Sequence, residues 1–146
     1  MSDITTRLRG LLVAQFFGAF NDNAWRVIVT LLAIDAVQRS GGAEAAAQAR
    51  TTLATVVLTV PLIAFSVPAG LISDRFSKRT VIIVMKAVEI VLMAAAAGVL
   101  FVQPQGGVPA LVILGCMGAQ SALFSPSKYG ILPELLPHSR LSLGNG

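Results

Sequence analysis

Ten residues, Gly70-Leu71-Ile72-Ser73-Asp74-Arg75-Phe76-Ser77-Lys78-Arg79, stand between two long apolar runs with only enough chain for a tight turn. Asp74, Arg75, Lys78 and Arg79 put four charges within six residues, a density that hydrocarbon does not accept. The segment therefore predicts a short loop at a bilayer surface, joining two membrane-spanning helices. Three basic residues against one acid predict the cytoplasmic surface, where short loops are enriched in Lys and Arg.

The rest of the composition agrees with a lipid solvent. Hydrophobic residues make up 55% of the 146 positions and charged residues 12%, whereas a soluble domain keeps about a quarter of its residues charged. The net charge of +4 and sequence pI of about 10.0 would also suit nucleic acid, but the basic residues fall in short groups at the ends of apolar runs and form no stripe. No nucleic-acid partner is expected. Cys116 and His138 are the single residues of their kinds, so neither a disulfide framework nor a Cys/His metal site can be assembled, and no cofactor is expected.

Four segments are long enough for a hydrocarbon layer of ~30 Å, which takes about 20 helical residues: residues 11–37, 51–72, 80–102 and 109–132. The first carries Asn21, Asp22, Asn23 and Arg26 in its interior, and a hydropathy scan should score it weakest. Arg7 and Arg9 precede it, yet no small-residue cleavage site follows, so an uncleaved helix is expected. Residues 38–50 and 103–107 connect the spans, 73–79 form the charged hinge, and 133–146 form a polar tail. Arg7, Arg9, Arg75, Lys78, Arg79 and Arg140 fall on one side and Arg39 and Arg50 on the other, which predicts a cytoplasmic N-terminus. Ala94 with Gly98, Gly115 with Ala119, and Gly118 with Ala122 recur at a spacing that lets helix backbones approach in lipid. Thr52, Thr55, Thr59 and Ser66 share a helical face that either looks into the bundle or bonds back to its own helix, and Pro61 and Pro68 predict a bend.

Ionisable residues inside spans cost on the order of 2.5–3.5 kcal/mol each on insertion scales, which makes them candidates for function. Gln15, Asp22 and Arg26 share one helical face, with Asn21 and Asn23 widening the polar patch. Two readings stand: an Asp22–Arg26 pair one turn apart that neutralises itself, or one wall of a water-filled substrate path. Lys86 and Glu89, three residues apart, read first as a structural pair. Around Lys128 two prolines and a glycine disturb the fourth span, and the lysine either meets an anionic headgroup or snorkels to the interface. Glu134 lies just beyond it, at the interface.

The hinge resembles the signature loop between the second and third helices of the major facilitator superfamily, Gly-x-x-x-Asp-Arg-x-Gly-Arg/Lys-Arg/Lys. Gly70, Asp74, Arg75, Lys78 and Arg79 fit, and Ser77 stands where the pattern has its second glycine. Two further stretches, Gln15-Phe16-Phe17-Gly18-Ala19-Phe20-Asn21-Asp22-Asn23 and Pro126-Ser127-Lys128-Tyr129-Gly130-Ile131-Leu132-Pro133-Glu134-Leu135, resemble the lysophospholipid transporter branch, some of whose members are fused to acyltransferase and acyl-carrier-protein synthetase domains. The resemblance implies an all-α integral membrane protein of a bacterial inner membrane. Its four transmembrane helices would be part of the N-terminal six-helix half of a twelve-helix fold, an N-terminal fragment of a rocker-type carrier. It implies a conformational latch at Gly70, Asp74, Arg75, Lys78 and Arg79. It also implies a path for a lysophospholipid or other amphipathic substrate at Asp22, Lys128 and Glu134, to which the polar face of the first span adds Gln15, Asn21 and Arg26, and partners among membrane lipids and the remaining C-terminal helices. No phosphate-cradling glycine loop and no Ser/His/Asp arrangement is present, so the chain is expected to be a transporter and not an enzyme. The rival readings are a drug or metabolite exporter of the same superfamily, or a complete four-helix small multidrug exporter acting as a dimer.

Overall fold

The computed structural model describes residues 2–131, with side chains from residue 9 onward. Five helices follow one another: α1 (Ser2–Arg39), α2 (Glu44–Ala64), α3 (Ser66–Arg75), α4 (Lys78–Val102) and α5 (Gly107–Gly130). No strand occurs among the described residues. Glu134, His138, Arg140 and the rest of the expected tail lie outside the described residues, as does the Arg7 side chain.

α1 has 38 residues, or about 57 Å at ~1.5 Å per residue, well beyond the ~30 Å of a hydrocarbon layer. It ends on a glycine pair. Gly41 has φ +66°, its N–H bonds to the Gln38 carbonyl at 3.0 Å, and Gly42 N–H bonds to the Val37 carbonyl at 3.0 Å. This is the Schellman arrangement, in which a left-handed residue satisfies the last carbonyls of a helix. The first connection is consequently shorter than the sequence suggested, because α2 begins at Glu44 and takes in most of residues 38–50.

The expected second span is two helices, which corrects the count of four. Pro68 has no N–H to give the Ala64 carbonyl, and the regular ladder breaks at Phe65 between α2 and α3. Ser66 Oγ donates to the Ile63 carbonyl at 2.6 Å at the break. Phe65 N–H to Pro61 O and Ala69 N–H to Phe65 O, both 2.9 Å, carry the chain across it as a kink. α2, α4 and α5 are long and apolar enough to cross a membrane. α1 is long enough, but its polar interior keeps it below the same hydropathy, as the sequence led one to expect.

At the hinge Phe76 and Ser77 are extended, with Ser77 at φ −61° and ψ 129°. Ser77 Oγ accepts the Thr80 N–H at 3.2 Å and so caps α4, a role that serine fills well. No left-handed backbone is required there, which is why serine can occupy the glycine position of the motif. The opposite turn does use left-handed glycines, Gly106 at φ +74° and Gly107 at φ +64°, and Leu32 of α1 packs against Gly106.

α5 is the centre of the bundle and touches each of the other helices. Trp25 and Val29 of α1, Ala54 of α2, Ala96 of α4 and Ala110, Ile113, Leu114 and Met117 of α5 form one buried cluster, and Trp25 Nε1 donates to the Ala110 carbonyl at 3.3 Å. A Cβ on Gly118 would run into the Leu58 carbonyl oxygen, and one on Gly115 would touch Val57; these glycines set how closely α2 and α5 approach. Ala94 and Gly98 of α4 instead face outward. Thr52, Thr55 and Ser66 are exposed on the bundle and bond back to the Gln48, Thr51 and Ile63 carbonyls, so at these three positions the polar face of the expected second span takes the local of its two readings.

Candidate substrate cavity

Where α1, α4 and α5 meet, toward the hinge end of the bundle, a cavity of about 130 Å³ is lined by Gln15, Gly18, Asp22, Lys86, Glu89, Gln120, Ser121, Phe124 and Lys128, among others. That exceeds the ~30 Å³ a water molecule occupies in the liquid. Lys86, Glu89 and Lys128 lie in helices that are otherwise strongly apolar, and Asp22 lies in the polar interior of α1. The chain folds this way because each helix supplies its polar residues at helical spacing. Gln15, Gly18 and Asp22 fall on one face of α1, Lys86 and Glu89 on one face of α4, and Ser121, Phe124 and Lys128 on one face of α5.

Each charge has a partner. Ser121 Oγ donates to Asp22 Oδ2 at 2.5 Å. Lys86 Nζ donates to Glu89 Oε2 at 2.5 Å, and Asn21 Nδ2 of α1 donates to the other carboxylate oxygen, Oε1, at 2.8 Å. Lys86 Nζ also lies 4.8 Å from the centroid of the Phe124 ring, a cation–π distance. The Glu89 side chain is 7% exposed and that of Lys86 22%. Gln120 Nε2 ties α5 to α4 through the Met85 carbonyl at 3.1 Å. Deeper toward the hinge, buried Ser127 and Ser73 hydroxyls meet at 3.1 Å and join α5 to α3.

Of the expected path residues, Gln15, Asp22 and Lys128 line this cavity, and Asn21 reaches its rim by way of Glu89. Lys128 Nζ also lies 5.1 Å from the Tyr129 ring. The Asp22–Arg26 pair does not form: Asp22 turns to Ser121, whereas Arg26 is exposed and its Nη2 donates to Asn23 Oδ1 at 3.1 Å. One turn beyond Asp22 the buried core takes over with Trp25 and Val29, which leaves Arg26 outside the cavity. Lys86 and Glu89, read first as structural, face the cavity as well as each other. Glu134 lies outside the described residues.

Of the residues read as a latch, Asp74, Arg75 and Arg79 are exposed at the hinge. The aliphatic stem of Lys78 passes over Gly130, where a Cβ would stand 2.8 Å from Lys78 Cε. Gly70 is half-buried, and no atom of the described helices would meet a Cβ there. Sequence reasoning passed over Gly18, Gln120, Ser121 and Phe124. Gln120 and Ser121 were visible as polar residues in an apolar span. Gly18 lies one turn before Asp22, but only the packing discloses that a Cβ there would stand 2.5 Å from Lys86 Nζ.

A helical bundle with apolar spans joined by short turns, one of them charged, is a multi-pass membrane protein. Residues 41–143 match the family model described as transmembrane secretion effector, and the chain belongs to that family of the major facilitator superfamily. It is also 32% identical over 136 residues to the lysophospholipid transporter LplT of Salmonella schwarzengrund, Salmonella agona and Salmonella typhi, an overlap of 93% of this chain. The chain spans 30% of the length of these curated relatives. No solved structure matches the chain significantly. The family leaves no place for the small four-helix exporter.

Proposed function

We propose that the complete protein is a secondary transporter of a bacterial inner membrane that moves lysophospholipids by alternating access, and that residues 1–146 form part of its N-terminal half. The observation that carries this reading is the cavity between α1, α4 and α5, in which two carboxylates and two ammonium groups sit inside an apolar bundle. Such an arrangement suits a headgroup that carries both signs of charge, while the acyl chain stays in the surrounding lipid. The N-terminus and the hinge are cytoplasmic in this reading, which the excess of basic residues in the short loops on that side supports. Asp74, Arg75, Lys78 and Arg79 latch the two halves in one state and release them in the other. Asp22 and Lys128 serve the headgroup path.

The test is uptake of radiolabelled lysophosphatidylethanolamine by proteoliposomes containing the complete protein. Uptake that Asp22→Asn and Lys128→Ala both reduce supports the reading; no uptake above empty vesicles overturns it. The description of the matched family as secretion effectors favours a second reading, export of a drug or metabolite. Movement of such a substrate into inverted vesicles or out of right-side-out ones, with no lysolipid movement, would establish it.

A further inference from the structure

Lys86 and Glu89 are built in a way that a purely structural pair would not need. Each has a second partner on a different helix: Glu89 keeps the Asn21 amide of α1 on its other oxygen, and Lys86 keeps the Phe124 ring of α5. If the pair parts, neither charge is left bare, which is the costly outcome for a buried ion. Both groups face the cavity. Gly18, directly across on α1, keeps that approach open, since any side chain there would press on Lys86 Nζ.

We propose that the Lys86–Glu89 pair opens to take the two charges of a zwitterionic headgroup, Lys86 receiving the phosphate and Glu89 the ammonium, and that Glu89 thereby discriminates against headgroups that are only anionic. The inference rests on the transport reading above and deepens it. The pair is charge-neutral in both states: in one the charges satisfy each other, in the other they satisfy the ligand. A net-anionic headgroup satisfies Lys86 but leaves the buried Glu89 carboxylate facing further negative charge.

The experiment compares uptake of lysophosphatidylethanolamine and lysophosphatidylglycerol, with the same acyl chain, by the complete protein in proteoliposomes. Glu89→Gln keeps the side chain's shape and an oxygen for Asn21 while removing the charge. It is expected to shift the uptake ratio toward lysophosphatidylglycerol by about tenfold, on the order of 1.4 kcal/mol. Glu89→Asp, which keeps the charge, is expected to hold the wild-type ratio even if total uptake falls. A Lys86→Gln/Glu89→Gln double variant removes both charges and is expected to lower uptake of both lipids. Equal losses for both lipids in Glu89→Gln would mark the pair as structural and overturn the inference while the transport reading stands. An unchanged ratio with unchanged uptake overturns it as well. If the wild-type protein moves neither lipid, the transport reading falls and takes this inference with it.

Discussion

Gly18 and Ser77 show how single residues act through what surrounds them. An alanine at position 18 places its Cβ 2.5 Å from Lys86 Nζ. Because Nζ is the free end of a flexible chain, the lysine moves and the backbone stays. Gly18→Ala is therefore expected to cost stability at the low end of about 1–3 kcal/mol yet to reduce uptake about tenfold or more, because a charged group in the proposed path is displaced. Thermal unfolding in detergent and proteoliposome uptake on the same preparation separate the two effects. Ser77 caps α4, so Ser77→Ala is expected to destabilise by about 1 kcal/mol and Ser77→Gly by only a few tenths, read as the ordering of their melting temperatures. The polar residues of α1 were legible in the sequence as a patch. Their partners were not, because the choice between Arg26 one turn away and Ser121 ninety-nine positions away depends on which helix lies alongside.

The element that organises the bundle is α5, and the contact that fixes its place is the approach of Gly118 to the Leu58 carbonyl. Backbone cannot give way as a side-chain end does. Gly118→Val is accordingly expected to destabilise the protein by about 1–3 kcal/mol or more, measured as a lower melting temperature of the detergent-solubilised protein, with Gly98→Ala as a control expected to change little. Gly98 has open space around it. Both glycines have the same spacing signature in the sequence, and only packing tells the interface pair from the outward-facing one. The two-helix character of the second span was half legible: Pro61 and Pro68 announced a bend. The break falls at Phe65, next to Ala64, because the donor that the Ala64 carbonyl lacks is the missing N–H of Pro68, four residues on from Ala64.

Over the whole molecule, the apolar outer faces of α2 and α4 and the exposed charged hinge require a membrane and set its depth. In the proposed orientation, a Ser77→Cys variant carrying Cys116→Ala is expected to react with a membrane-impermeant maleimide in inverted inner-membrane vesicles and not in intact right-side-out ones. Labelling with the opposite sidedness would reverse the topology. Charge reversal at the proposed latch, Asp74→Arg, is expected to slow uptake several-fold while leaving equilibrium lysolipid binding within about a factor of two, since in that proposal the hinge acts on the exchange between states and not on the site.

The chain by itself determined the class of the protein. Hydrophobic runs about 20 residues long, separated by short turns and a charged hinge, leave helices in lipid as the solution that satisfies every backbone group, and the hinge motif named the superfamily. It also singled out Asp22, Lys86, Glu89 and Lys128, because charge inside a span is costly enough to stand out against an apolar background. What only the tertiary structure decided was which of these groups meet. In a helix the sequence assigns each residue to a face, but the rotation and spacing of one helix against another come from close packing at positions such as Gly118 and Trp25. That packing turned Asp22 toward Ser121, left Arg26 outside, and brought a lysine and a glutamate first read as a strut to the wall of a cavity.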